Sequence, residues 1–394
     1  MDNYTNNPAT TNVLDDSLAE ITKLEGKLDV SSAPVELKEE AMHSIQRLKR
    51  MVRMGGYSNE FENVSKYIDW VVRIPWNNVS QDSLNIAKAK EIMDSTHHGM
   101  DSVKNLILDY LASMQLKSGN MVSATSNVPT QIPMGEPARE ARPVPQFNSY
   151  EVRSPVFMFV GLQGVGKTSV AKSIATSMDR KFVRISLGAI GDVRTLRGTP
   201  RYSIDGEPGQ IIKALVRSGT MNPVILLDEI EKASGNAGLL SDVMATLLEI
   251  LDPEQNSSFV DHYIDYPVDL SKVMFICTAN NLGGLSAALL DRVEIIRFTS
   301  YSDDEKEVIA KRYILPNVLK ELNLTEQQVQ ISDDIWLSVI RPVGFDAGIR
   351  QLERNIGTMI RGAARRIVDG HPLPIVINKD NLGEFLNVDQ GPLS

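Results

Sequence analysis

The sequence predicts an α/β fold, a doubly wound parallel sheet built around a phosphate loop. Three observations carry this expectation. The first is Gly161-Leu162-Gln163-Gly164-Val165-Gly166-Lys167-Thr168, which fits G-x-x-x-x-G-K-[ST]. The unbroken apolar run Val156-Phe157-Met158-Phe159-Val160 precedes it, and Ser169-Val170-Ala171-Lys172-Ser173-Ile174-Ala175 follows with helical spacing. The second is alternation. Apolar runs at Phe182-Val183-Arg184-Ile185-Ser186, Val224-Ile225-Leu226-Leu227, Val273-Met274-Phe275-Ile276-Cys277-Thr278 and Val293-Glu294-Ile295-Ile296-Arg297-Phe298 are separated by helical segments, notably 210–218 and 239–251. The third is Asp228-Glu229, two acids closing one of those runs, where sites form at the rim of such a sheet.

A strand feeding a glycine loop that opens a helix aims backbone N–H groups and the helix dipole at one point, which suits a phosphate chain. Gly161, Gly164 and Gly166 let the backbone turn and approach the oxygens, with Val165 and Ser169 completing the cradle. Lys167 would reach the β- and γ-phosphates of ATP, and the Thr168 hydroxyl would coordinate Mg²⁺. Asp228 would hold the same ion through its hydration shell, leaving Glu229 to orient and polarise the attacking water. Asn280, at the end of the next apolar run, suits either a turn or hydrogen bonds to that water and the γ-phosphate. Arg292 and Arg350 suit either solvated surface charges or the guanidinium groups that charge on a transferring phosphoryl group calls for, and residue chemistry alone does not assign them.

The flanks are helical. Residues 1–19 are polar and acidic with little periodicity and are expected to lack regular structure. Over 35–54, Leu37, Ala41, Ile45, Leu48, Met51 and Val52 line one helix face. A second helix is expected to end before Pro75, with Trp70 and Trp76 packed between helices. Helical spacing resumes at 86–93 and 103–111, so 20–116 reads as a helical neck. His97-His98-Gly99-Met100, between those two helices, lacks the companions of a metal site and reads better as a loop beside the nucleotide base. Residues 117–153 contain five prolines and read as a linker or insertion. The nucleotide domain then spans 154–301, and 302–394 reads as an all-helical domain. That last domain opens on the capping box Ser302-Asp303-Asp304-Glu305, and its long helix, 348–368, has Asp346 as candidate cap.

Composition narrows the class. Of 394 residues, 42% are hydrophobic and 23% charged, as in a globular protein with full cores. The net charge of −9 argues against a nucleic-acid surface over the whole molecule and leaves room only for a local basic patch. The single cysteine, Cys277, sits in an apolar run and reads as core. With no spanning apolar stretch, secretory signal or transit peptide, a cytoplasmic setting without a membrane partner is expected.

Several stretches together resemble the ATPase module of the Lon family of AAA+ proteases. They are Tyr67-Ile68-Asp69-Trp70, Ile74-Pro75-Trp76, Arg197-Gly198-Thr199, Pro208-Gly209-Gln210-Ile211-Ile212, Leu247-Leu248-Glu249-Ile250-Leu251-Asp252-Pro253-Glu254-Gln255-Asn256 followed by Phe259 and Asp261-His262-Tyr263, Leu290-Asp291-Arg292 and Ala347-Gly348-Ile349-Arg350-Gln351-Leu352-Glu353-Arg354. The resemblance covers about residues 20–388. It implies a P-loop NTPase of AAA+ type with a helical neck and lid, working as a homo-oligomeric ring, usually a hexamer, that pulls unfolded polypeptide through a central pore. By it, Asn280 is the sensor-1 residue, Arg292 the finger reaching a neighbour's nucleotide, and Arg350 the sensor-2 residue; 97–100 border the adenine.

The chain departs from the pattern in three places. The family's Ser–Lys peptidase segment is expected beyond Leu386-Asn387-Val388, so cleavage would fall to a further segment or a separate peptidase partner. The globular domain that precedes the neck in the family has no counterpart in this reading. The pore-loop stretch Arg201-Tyr202-Ser203-Ile204-Asp205-Gly206 displaces the aromatic by one place, leaving Tyr202 and Ile204 as the candidate gripping pair. A remodelling chaperone and a nucleotide-gated or DNA-associated switch are the alternative readings.

Overall fold

A computed structural model describes residues 8–54, 59–123, 155–189, 192–203, 205–234, 239–341 and 348–386. Helices α1 (Pro8–Val30), α2 (Val35–Arg53) and α3 (Asn59–Arg73) pack together first, followed by α4 (Ile86–Thr96) and α5 (Asp101–Ser123). The nucleotide domain then runs β1 (Phe157–Val160), α6 (Lys167–Ser177), β2 (Phe182–Ser186), α7 (Arg194–Arg197), α8 (Gln210–Ser218), β3 (Val224–Asp228) and α9 (Leu239–Leu251). A short antiparallel pair, β4 (Phe259–Val260) and β5 (Pro267–Val268), precedes β6 (Met274–Ala279), α10 (Ala287–Leu290) and β7 (Glu294–Arg297). The last part contains α11 (Asp303–Ile309), α12 (Leu315–Glu321), β8 (Val329–Ile331), α13 (Trp336–Ile340), α14 (Arg350–Val368), β9 (Ile375–Ile377) and α15 (Leu382–Phe385).

The main sheet has the order β2-β3-β6-β1-β7 and is parallel throughout. The inner strands β1, β3 and β6 are buried on both faces, and their alternate side chains divide between two cores, whereas the edge strands β2 and β7 keep exposed residues such as Arg184 and Arg297. Met158, Val160, Ile225, Leu227, Phe275 and Cys277 join the core that α1, α2, α3, α8 and α9 cover. Phe157, Phe159, Val224, Leu226, Met274 and Ile276 join the core under α4, α5, α6 and the C-terminal helices. Cys277 and Trp76 are buried, the indole N–H donating to the Val71 carbonyl at 2.8 Å, whereas Trp70 packs partly buried against the first core.

The structure departs from the sequence expectations at four places. Helix α1 begins at Pro8, inside the stretch expected to lack regular structure. Leu18, Ile21, Leu24 and Leu28 pack into the first core, and a helix anchored there extends toward its N-terminus at one hydrogen bond per added residue. Helix α5 likewise continues to Ser123, past the expected start of the linker; 124–153 lie outside the described residues. The C-terminal part is not all helical, because β8 and β9 form a parallel ladder with Val329 opposite Ile375 and Ile331 opposite Ile377. These are three-residue strands, too short to register as a period against the helical pattern around them. Helix α14 starts at Arg350, not at 348, without a side-chain cap; Asp346 lies outside the described residues. The capping box at Ser302 is present, with Glu305 N–H donating to the Ser302 hydroxyl at 3.2 Å and Ser302 N–H to Glu305 Oε2 at 2.8 Å.

Candidate nucleotide-binding site

The carboxyl ends of β1, β3 and β6, the N-terminus of α6 and the start of α14 enclose a cavity of about 290 Å³. Its wall includes Gly164, Gly166, Lys167, Thr168 and Ser169 from the loop and α6. Asp228 ends β3 and Glu229 follows it, Asn280 follows β6, and Arg350 comes from α14. Gly166 caps α6 with φ 93°, a left-handed conformation open to glycine. Gly161 packs against β7: a Cβ there would lie 2.5 Å from the Phe298 carbonyl oxygen, so only glycine lets the loop sit that low. Val165 is buried, and its carbonyl accepts from the Tyr301 hydroxyl at 3.1 Å.

Lys167 is almost wholly buried and donates to the carbonyls of Gly161 and Leu162, the latter at 3.2 Å, and to Asn280 Oδ1 at 3.0 Å. Burial lowers its pKa, against the opposing pull of Glu231, Asp228 and Glu229. A cation that donates to neutral carbonyls can exchange them for an anion, to which its hydrogen bonds are stronger.

Register explains the acids. Leu227 lies opposite Cys277, so Asp228 emerges beside Thr278. The Thr278 hydroxyl donates to Asp228 Oδ1 and accepts the backbone N–H of Glu229 at 3.0 Å. Arg184 of β2 donates from Nε to Asp228 Oδ2 at 2.8 Å. Glu229 has φ 61°, which a non-glycine residue rarely adopts outside sites that require it. The turn carries its carboxylate toward Lys232, whose Nζ lies 2.7 Å from Oε2.

Hard oxygen donors, the Thr168 hydroxyl and the Asp228 carboxylate, stand on the cleft wall. That sparse set suits Mg²⁺, which keeps most of its water and shares phosphate oxygens. Among the described residues no cluster of three or more His, Cys, Asp or Glu side chains builds an all-protein metal cage.

A second cavity, about 750 Å³, adjoins the first and shares Gly166, Ser169, Ile349 and Glu353 with it. His97 and His98 face it from one side, Tyr301, Ile309 and Tyr313 from the other. His97 is buried, and burial pushes its pKa down to about 4. The Thr96 hydroxyl gives its one proton to the Ile92 carbonyl at 2.7 Å, so at 2.8 Å it accepts from His97 Nδ1–H. His97 Nε2 is then the acceptor, and the Ser169 hydroxyl donates to it at 2.8 Å. Gly99 and Met100 take φ 65° and 57°, folding the loop so that a Cβ on Gly166 would lie 3.3 Å from Met100 Cε. Residues 97–100 therefore lie against the phosphate loop.

Two expected site residues stand apart. Arg292 does not reach this cleft. Its Nε and Nη2 donate to Asp252 Oδ2 at 3.2 and 3.1 Å, and its Nη1 to the Ala288 carbonyl at 2.8 Å. Tyr202 is 77% exposed on the far loop, and Ile204 lies outside the described residues. Arg201 beside it pairs with Glu40 of α2 and stacks 4.7 Å above the Tyr67 ring, while Lys66 donates to the Gly206 carbonyl at 2.9 Å. Sequence reasoning missed Arg184, Glu231 and Thr278, which touch the predicted acids and amide only because β2, β3 and β6 are neighbours.

Residues 157–301 match the family model for the "ATPase family associated with various cellular activities (AAA)", and residues 320–375 match the "Lon protease AAA+ ATPase lid domain". The chain is 41% identical over 368 residues to Lon protease 2 of Thermus thermophilus, covering 93% of this chain and 42% of that protein. It is 39% identical over 374 residues to a Lon protease of Elusimicrobium minutum, covering 95% of this chain and 41% of that protein. Lon protease 1 of Bacillus subtilis is 38% identical over 367 residues, with 93% and 43% covered. The chain thus spans about two fifths of the length of these relatives. Among the described residues no helix is long and apolar enough to cross a membrane.

Proposed function

We propose that this chain, which carries the AAA+ ATPase module and lid of the Lon family, hydrolyses ATP in the cleft between its sheet and lid and uses the energy to move polypeptide. The observation that carries the reading is convergence: Lys167, the adjacent Asp228 and Glu229, Asn280 and Arg350 come from four separate segments onto one cavity beside the loop.

The triphosphate lies along the loop, its oxygens taking backbone N–H groups of 164–169 and the Lys167 ammonium, which gives up Asn280 and the loop carbonyls. The Thr168 hydroxyl and, through water, Asp228 would hold Mg²⁺, which would supply positive charge against that of the phosphates. Glu229 accepts a hydrogen bond from the water in line with the γ-phosphorus. As the water oxygen bonds to phosphorus, the bond to the bridging oxygen breaks, and the carboxylate takes the water's proton. Asn280 and Arg350 face the γ-phosphoryl oxygens from the sheet and the lid. The base occupies the larger cavity beside 97–100.

Arg292 serves a neighbouring subunit's site in a homo-oligomeric ring, which we take to be hexameric. Tyr202 and Ile204 grip an unfolded polypeptide in the pore. Peptide-bond cleavage is assigned to a Ser–Lys peptidase outside these residues, in a further segment or a partner. The test is turnover of Mg·ATP by the full chain, with Lys167→Ala and Glu229→Gln as controls. Lys167→Ala is expected to lose binding and turnover, and Glu229→Gln to bind ATP while losing turnover by about a thousandfold. Wild-type protein that binds ATP without turning it over would favour a nucleotide-gated switch.

A further inference from the structure

Glu231 lies in the single helical turn Ile230–Ser234 that follows β3, two residues beyond Glu229. Its Oε1 accepts the backbone N–H of Asn280 at 3.1 Å and the side-chain Nδ2 of Asn280 at 2.7 Å. From the other side, Asn280 Oδ1 accepts from Lys167 Nζ at 3.0 Å. An ammonium group only donates and a carboxylate only accepts, so the amide between them fits in one orientation. Phosphate oxygens also only accept, and the amide can meet them only through N–H. A primary amide has two N–H groups. Glu231 takes one and thereby fixes the amide plane, so the other is held in a set direction and does not swing about the side chain.

We propose that Glu231 is a positioning residue for ATP hydrolysis, setting the Asn280 amide so that its remaining N–H meets the γ-phosphoryl group. The inference rests on the reading of the cleft as an ATPase site. Glu231 acts through Asn280 and does not touch the nucleotide. Its negative charge near the phosphates works against ATP binding, so its removal separates affinity from turnover. A residue that merely held the turn in shape would show no such separation.

The experiment measures kcat for Mg·ATP and Kd for ATP with the full chain, together with thermal midpoints. Glu231→Ala is expected to lower kcat by about tenfold while Kd stays the same or tightens. Glu231→Gln retains an oxygen that accepts from Nδ2 and is expected to restore most of kcat. In the double variant with Asn280→Ala, kcat should fall no further than with Asn280→Ala alone, because the two residues act as one unit. A Glu231→Ala kcat within twofold of wild type, or losses that multiply in the double variant, overturns the inference and leaves the ATPase reading standing. Absence of turnover in the wild type overturns both. Should Glu231→Ala fail to fold, Glu231→Ser, whose smaller cavity water can fill, carries the same comparison.

Discussion

Thr278 is the residue on which the two acids depend. One hydroxyl orients the Asp228 carboxylate and takes the N–H of a Glu229 backbone in the left-handed region. Thr278→Val keeps the shape and removes both bonds, taking the hydroxyl donor from Asp228 Oδ1 and the acceptor from the Glu229 backbone N–H while Arg184 still holds Oδ2. We expect a loss of about 1–3 kcal/mol in stability and a fall in ATP turnover, checked by urea denaturation and steady-state kinetics. His97 supplies a pH test. Its folded-state pKa is depressed to about 4, below the 6.5 of the free imidazole. The unfolded chain therefore binds more protons between those values, and the contribution is present above pH 6.5 and lost as pH falls toward 4. The difference corresponds to about 3 kcal/mol. Unfolding free energies of wild type and His97→Gln, measured from pH 7 to pH 4, should converge as the pH drops; parallel curves would refute the assignment.

The fold is read most directly at the level of elements. The glycine loop, its strand and helix, and the Asp228-Glu229 strand end were all legible in sequence, because each is a local pattern of apolar period and turn chemistry. What escaped was whatever depends on which strands are neighbours. Arg184 reaches Asp228 because β2 lies beside β3, and Thr278 and Asn280 meet Asp228 and Glu231 because β6 lies on its other side. No residue spacing encodes that order. The β8–β9 ladder was missed for its brevity, and the start of α1 for its polar first turns. Arg292 also belongs to this scale: it is tied to Asp252, just past the end of α9, by a side-chain pair and does not line its own cleft. Arg292→Ala is expected to keep ATP affinity in equilibrium dialysis while losing about a thousandfold in turnover. Loss of affinity instead would place the arginine in its own subunit's site or in folding.

Across the molecule, the nucleotide cleft and the loop bearing Tyr202 lie at different places, and the N-terminal helices touch the second. Glu40, Tyr67 and Lys66 hold the loop at Arg201 and Gly206. This attachment was not legible, since it joins segments about 140 to 160 residues apart. If the loop grips substrate, Tyr202→Ala combined with Ile204→Ala abolishes processing of a tagged, stably folded reporter and spares ATP turnover. An unchanged processing rate would remove the pore-loop assignment.

ATP turnover by the full chain with Mg²⁺, set beside Glu229→Gln, tests the central claim most directly. The account predicts steady hydrolysis in the wild type, and in the variant nucleotide that is held but not cleaved. Equal rates in the two proteins would contradict it, because the water would then be activated by some group other than the carboxylate that follows β3.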